Sequence, residues 1–320
     1  MNEFALIQRL TRSLPTNPSV VVGAGDDCAV LDAGVPDRLL LFKTDAIVEG
    51  VHFGSDAPPE KIGHKALGRC LSDIAAMAGT PTAALITIGL PRDFNPEVVE
   101  AIYTGMNALA RRYQVAIVGG ETTTSPERIF ISVALLGWVP RGKNVLRSGA
   151  EAGDAIFVTG ELGGSLAGKH LEFEPRLAEA RWLAEHFAIH AMIDLSDGLA
   201  GDLRHILKAS GVGAELLKSA IPVSWAAKAG SSRCGDRTAQ RAVPTEKTPL
   251  AAALTDGEDF ELLFTVASQD AVKLLDGWKK KFPKLKMSCI GKIVAGEGVV
   301  IRDKTGTLKL EAHGYQHFAE

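Results

Sequence analysis

Asp73 sits in Leu71-Ser72-Asp73-Ile74-Ala75-Ala76-Met77, a stretch otherwise fit for a protein interior. A buried carboxylate is costly unless it is paired or bound to a metal. Whatever fold the chain adopts must therefore give this carboxylate a partner or a metal. Other acids stand just beyond apolar runs: Asp26-Asp27, Asp45, Glu121, Asp194 and Asp197. Asp45 reads as the end of a strand, where α/β folds place ligand-binding groups. Singly, each acid reads as a cap or turn residue, Asp26 and Asp197 above all. Together they exceed what the neighbouring lysines and arginines are spaced to neutralise. Magnesium prefers carboxylate oxygens and keeps waters that a phosphate can replace. The combined pattern points to a magnesium–phosphate site.

The apolar periodicity gives two α/β series. In the first, Phe4, Leu6, Ile7 and Leu10 suggest an opening helix, and Val20–Val22, Ala29–Leu31 and Leu39–Phe42 read as strands. Helices are predicted over 59–77 and 96–113, with strands at 83–90, 115–118 and 129–139. The segment Pro140–Gly153 is rich in Gly, Arg and Lys, lacks periodicity and marks the boundary. This gives an N-terminal domain over 1–140 and a C-terminal domain over 150–320. The second series has strands at 155–159, 260–266, 287–293 and 299–301, and helices at 176–186, 197–209 and 269–282. Residues 226–248 are polar and read as an irregular loop.

Function classes narrow from the same sequence. A net charge of −3 offers no broad basic surface for nucleic acid. No apolar run approaches the roughly 20 residues that span a bilayer. Cys28, Cys70, Cys234 and Cys289 form no CxxC pair and suit a reducing cytoplasm. Met1-Asn2-Glu3-Phe4 lacks the basic flank of a signal peptide. Gly163-Gly164-Ser165-Leu166-Ala167-Gly168-Lys169-His170 nearly matches a phosphate-binding P-loop, but His170 stands where a magnesium-binding hydroxyl belongs.

Several blocks resemble, in order, those of thiamine-monophosphate kinases. They are Gly25-Asp26-Asp27-Cys28-Ala29-Val30, Thr44-Asp45-Ala46-Ile47-Val48-Glu49-Gly50-Val51-His52-Phe53, the Leu71–Pro81 block, Gly119-Gly120-Glu121-Thr122, Asp194-Leu195-Ser196-Asp197-Gly198-Leu199, Gly257-Glu258-Asp259-Phe260-Glu261-Leu262 and Gly314-Tyr315-Gln316-His317-Phe318. They cover nearly the whole chain. The resemblance implies a two-domain α/β (α+β) fold of the aminoimidazole ribonucleotide synthetase type. It further implies a homodimer with a β core built from both subunits. The implied reaction takes ATP and thiamine monophosphate to ADP and thiamine diphosphate.

By position, Asp27, Thr44, Asp45, Asp73, Glu121, Asp194 and Asp197 would hold magnesium, with Asp27, Asp45 and Asp197 supporting catalysis through it. Tyr103, Gly120, Arg147 and Ser196 would contact ATP. His52, Glu258 and Tyr315 would contact the thiamine phosphate. The attacking phosphate oxygen is already anionic, so positioning and charge neutralisation would suffice. The sequence departs from the pattern at Glu121 (usually Asp), Asp256 (usually Gly) and Lys43 (usually a small hydroxyl residue). A lysine at position 43 would displace a cation or touch a phosphate. The alternatives are another ATP-dependent synthetase of the superfamily and a non-catalytic paralogue that binds nucleotide or thiamine phosphate.

Overall fold

The computed structural model describes residues 3–230 and 247–315. Most of the polar stretch 226–248, and Gln316, His317 and Phe318 of the closing block, lie outside them. Among the described residues, no helix is long and apolar enough to cross a membrane.

The first sheet contains β1 (Val20–Val22), β2 (Ala29–Leu31), β3 (Arg38–Val48), β4 (Thr80–Leu90), β5 (Ala116–Thr124) and β6 (Phe130–Pro140), in the order β1-β2-β3-β6-β4-β5. Its neighbours run antiparallel except β4 and β5. After the opening helix α1 (Glu3–Thr11) come α2 (Pro59–Ala76) and α3 (Pro96–Arg112). Each of the two longer helices starts on proline, whose missing N–H costs nothing in a first turn. Asn95 caps α3 by accepting from the Glu97 N–H at 2.9 Å. Two mid-helix glycines set how closely α2 and α3 approach. A Cβ on Gly63 would lie 1.8 Å from the Ile102 carbonyl oxygen, and one on Gly105 would lie 1.8 Å from that of Glu60. Close backbone contact offsets the roughly 1 kcal/mol that each glycine costs a helix.

β3 is longer than the apolar run suggested. Its pairing with β6 continues from Arg38↔Pro140 to Val48↔Phe130, so Asp45 lies inside the strand and not at its end. Side chains alternate across a strand, which puts Lys43 and Asp45 on the same face as buried Leu41 and Ile47. Phe42 and Thr44 face the other way and are exposed.

The second sheet contains β7 (Ala155–Thr159), β8 (Ile189–Asp194), β9 (Gly213–Leu217), β10 (Leu262–Val266), β11 (Met287–Val294), β12 (Val299–Asp303) and β13 (Gly306–Lys309), in the order β13-β12-β9-β11-β7-β10-β8. With it go α4 (Leu177–His186), α5 (Leu199–Ser210), α6 (Trp225–Ala229), α7 (Pro249–Thr255) and α8 (Ala271–Lys281). Every residue of β7 and β10 is buried, so both faces of this sheet are covered. One face (Ile156, Val158, Leu263) joins Leu199, Leu203 and Ile206 of α5 in a core of its own. The other (Phe157, Phe264, Met192) belongs to the same apolar cluster as Leu67, Leu71 and Ile74 of α2. Helix α2 is thus the centre of the molecule, touching β3, β4 and β6 on one side and α4 and β8 on the other. Polar groups on α2 therefore meet polar groups from both sheets.

Candidate active site

A cavity of about 450 Å³ opens where β3, α2 and the end of β8 converge. Asp45 and Lys43 come to it from β3, Asp73 and Arg69 from α2, and Asp194 from the last position of β8. Oxygens of Asp27, Asp73 and Asp194 lie within 4.8 Å of one another. All three side chains are buried. Arg147 donates to Asp27 Oδ1 from Nη2 (2.5 Å) and Nε (3.2 Å), while Asp27 Oδ2 is buried with no hydrogen-bond partner. The Arg147 backbone N–H donates to Asp26 Oδ2 at 3.1 Å. Ser72 Oγ donates to Asp194 Oδ2 at 2.6 Å. Lys43 Nζ lies 2.8 Å from Asp73 Oδ1, and Arg69 Nε 3.2 Å from Asp45 Oδ2.

Crowding of like charges shows in the acidities. Burial, with Asp194, Asp45 and Asp27 adding repulsion, pushes the Asp73 carboxyl well above the usual range although Lys43 opposes it. Asp194 is pushed up to about 7 by burial and by Asp27. At Asp45 burial acts upward too, but Lys43 and Arg69 outweigh it and the carboxyl falls below the usual range. An unsatisfied buried carboxylate oxygen beside two carboxyls forced toward neutrality has the chemistry that suits a hard divalent cation.

Two matches cover both halves of the chain. Residues 25–139 match the AIR synthase related protein, N-terminal domain, and residues 151–304 the corresponding C-terminal domain. The thiamine-monophosphate kinase of Rhodopirellula baltica is 40% identical over 322 residues, spanning 98% of this chain and 96% of that one. That of Bacillus subtilis is 33% identical, spanning 99% and 100%. The chain belongs to the thiamine-monophosphate kinase family. A solved structure described as AaThiL complexed with AMPPCP and TMP superimposes with a TM-score of 0.77 at 34% identity, covering 99% of this chain and 97% of that one. The two-sheet α/β architecture is that of the AIR synthase related fold.

Within this family frame, the residues singled out in the sequence divide into groups. Asp45, Asp73, Arg147, Asp194, Ser196, Asp197 and His52 line the cavity, and Asp27 lies against it through Asp73 and Asp194. His52 Nδ1 accepts from the Val48 N–H at 3.1 Å, which fixes the ring. The backbone N–H of Tyr315 donates to the Asp197 carbonyl at 2.8 Å, tying the closing block to the site.

Others lie elsewhere. The Thr44 side chain points to the exposed face of the first sheet, its Oγ1 3.4 Å from Ser132 Oγ. Glu121 is exposed on β5. Tyr103 packs against the apolar core from α3. Gly120 has a packing reason of its own, since a Cβ there would lie 1.7 Å from the Ile86 carbonyl oxygen. Glu258 is buried directly behind the lining residue Arg69. Lys65 Nζ donates to its Oε2 at 2.7 Å and to the His52 carbonyl at 2.5 Å, and Arg69 Nη1 lies 3.5 Å from its Oε1.

The near-P-loop is closed by the chain's own carboxylates. The Gly163 N–H donates to both Asp259 oxygens (3.1 and 2.9 Å), the Gly164 N–H to Asp256 Oδ2 (3.0 Å), and Lys169 Nζ to Glu261 Oε1 (2.9 Å). Only short 3₁₀ turns follow at Ser165–Ala167 and Lys169–Leu171, so there is no α-helix start to receive phosphate. Asp256, the departure from the usual glycine, is accounted for by Gly164 and by Lys247 at 3.1 Å.

Sequence reasoning missed Lys65, Arg69 and Ser72. The signal was present: positions 65, 69, 72 and 73 recur at helical spacing in an otherwise apolar helix and so share one face.

Proposed function

We propose that this chain transfers the γ-phosphoryl group of ATP to the phosphate of thiamine monophosphate, giving thiamine diphosphate and ADP. The observation that carries the reading is the buried, unpartnered Asp27 Oδ2 beside Asp73 and Asp194 at the wall of a cavity of about 450 Å³. The kinase relatives and the nucleotide-analogue and TMP complex of a structural neighbour support it. A magnesium ion bound by these carboxylates would neutralise phosphate charge and hold donor and acceptor in line. Asp27 and Asp194 would hold it, with Asp45, Asp73 and Asp197 completing the acidic wall. Arg147 presents a planar fork that suits a phosphate. Ser196 lines the same wall, and Tyr315 is anchored beside it through Asp197. His52, its ring held at Nδ1 by the Val48 N–H, lines the same cavity on the side we assign to the acceptor. The acceptor phosphate needs no base to deprotonate it, so these residues bind, orient and exclude water.

Exposed Phe42 (45%), Leu85 (49%) and Val118 (63%) on the first sheet support a homodimer that buries this face, with Thr44 and Glu121 at the interface. Sedimentation should give about twice the 33.9 kDa of one chain, and Val118→Glu should shift it toward the monomer. The reaction is tested by ³¹P NMR of the full chain with magnesium, ATP and either thiamine monophosphate or thiamine. Diphosphate signals should grow with the monophosphate only. Phosphorylation of thiamine itself, or of neither, contradicts the reading.

A further inference from the structure

The acids around the cavity are not equally open. Arg147 occupies Asp27 Oδ1, Arg69 occupies Asp45 Oδ2 and Lys43 occupies Asp73 Oδ1. Asp27 Oδ2 has no partner, and Asp194 is met by the neutral hydroxyl of Ser72. Of the three cations, Lys43 has the most distinctive placement. It leaves the inner face of β3 between two core positions, crosses to α2 and reaches Asp73 at 2.8 Å, with 19% and 8% of the two side chains exposed. It also lines the cavity, so its ammonium stands where a cation shared between Asp73 and an incoming phosphate would stand.

We infer that Lys43 is a resident cation that takes the place of one divalent ion at Asp73, leaving Asp27 and Asp194 as the carboxylates that hold metal in this chain. The inference rests on the cavity being a metal–nucleotide site, as proposed above. An ammonium is a compact, strongly hydrated point charge with three donors. Held on Asp73 Oδ1, it can present its remaining protons to a phosphate oxygen. A magnesium ion demands near-ideal octahedral geometry at about 2.0–2.1 Å from its oxygens. With Lys43 Nζ 2.8 Å from Asp73 Oδ1, a metal ion on that same oxygen would stand at close range to the ammonium. The lysine and a metal ion therefore compete for Asp73 Oδ1. The charge delivered to the substrate phosphates is one unit less than a divalent ion would deliver, but it comes without dependence on metal supply.

The test counts Mn²⁺ bound per full-length chain, from the loss of the free-ion electron paramagnetic resonance signal, with Mn²⁺ alone as the probe. Lys43→Thr should bind one more ion per chain than the wild type, and Lys43→Arg should match the wild type. Asp73→Asn should leave the wild-type count unchanged but remove the extra ion in the Lys43→Thr background. Equal counts for wild type and Lys43→Thr would overturn the inference. So would an ion lost on Asp73→Asn in the wild-type background, a comparison that stands even where Lys43→Thr does not fold. Absence of Mn²⁺ binding in every variant would overturn the metal reading beneath it as well.

Discussion

Two acid-rich regions of this molecule face opposite ends of the same problem. Around the cavity, Asp27, Asp73 and Asp194 crowd together, one oxygen is left without a partner, and burial with mutual repulsion pushes Asp194 up to about 7. Around the glycine loop, buried Glu261 accepts from Thr159, Lys169 and Arg176. Burial acts to raise its pKa, but Lys169 and Arg176 outweigh it and the carboxyl falls below the usual range. Both regions look like phosphate or metal motifs when read as letters. What separates them is whether the fold brings resident cations to every oxygen. The glycine loop is satisfied from within and is architecture. The cavity is left short of positive charge, which gives a metal and a phosphate a place to bind.

The largest expected effect breaks the satisfied region. Glu261→Ala strands Lys169 and Arg176 near a buried space, and loss of one partner of such a network costs about 3–5 kcal/mol. Urea denaturation should show that loss, while turnover per folded chain stays within a few-fold of wild type. Next, Asp27→Asn should lower kcat/KM about 10²–10³-fold, or ~3–4 kcal/mol of transition-state stabilisation. Its urea midpoint should fall as well, because Arg147 loses the carboxylate it pairs with, so turnover is compared per folded chain.

Acidity sharpens the contrast with opposite signs. The folded-state pKa of Asp194 is raised, so the unfolded chain sheds its proton first and stability is lost as pH climbs from 3.8 toward about 7. Glu261 has a lowered folded-state pKa, so its stabilisation is present above the unfolded value of 4.5 and is lost as pH falls through the folded one. With metal chelated, Asp194→Asn should therefore gain on wild type as pH rises over that window, by on the order of 1–3 kcal/mol. Glu261→Gln should close its deficit only at acid pH. Denaturation curves at a series of pH values in chelator measure both. The smallest effect belongs to Asp256→Asn. Its partner Lys247 is 30% exposed, and such pairs contribute about 1 kcal/mol or less. Melting should fall slightly and turnover should not change.

Much of this was legible in the letters, and the failures have physical causes. Apolar runs located α2, α3, β7 and most of the long strands, because burial on a regular face leaves a period in the sequence. β3 was cut short at Lys43-Thr44-Asp45 because polar side chains on its inner face interrupt the apolar alternation. The pairing with β6 that carries the strand on to Val48 is a tertiary fact. β9 (Gly213-Ala214-Glu215-Leu216-Leu217) holds a glycine and a glutamate where β7 opens with an unbroken apolar run, and seven-residue α7 is too short to show a helical period. The acids Asp27, Asp45, Asp73, Asp194 and Asp197 were recognisable, since a carboxylate among core residues needs an explanation. Which acids carry resident cations was not, because helical spacing puts Lys65 and Arg69 on the face of Asp73 but does not say that Glu258 and Asp45 fold against them. Glu258, expected at the substrate, is buried against Lys65 and Arg69, with its backbone at φ +56 in the left-handed region.

The central claim is that the open carboxylates and not the satisfied ones perform the chemistry. It is tested most directly by ADP release with magnesium, ATP and thiamine monophosphate, comparing wild type, Asp27→Asn and Glu261→Gln at a temperature where all three remain folded. The account predicts turnover by wild type and Glu261→Gln and near-complete loss in Asp27→Asn. Turnover by Asp27→Asn at the wild-type rate would contradict it.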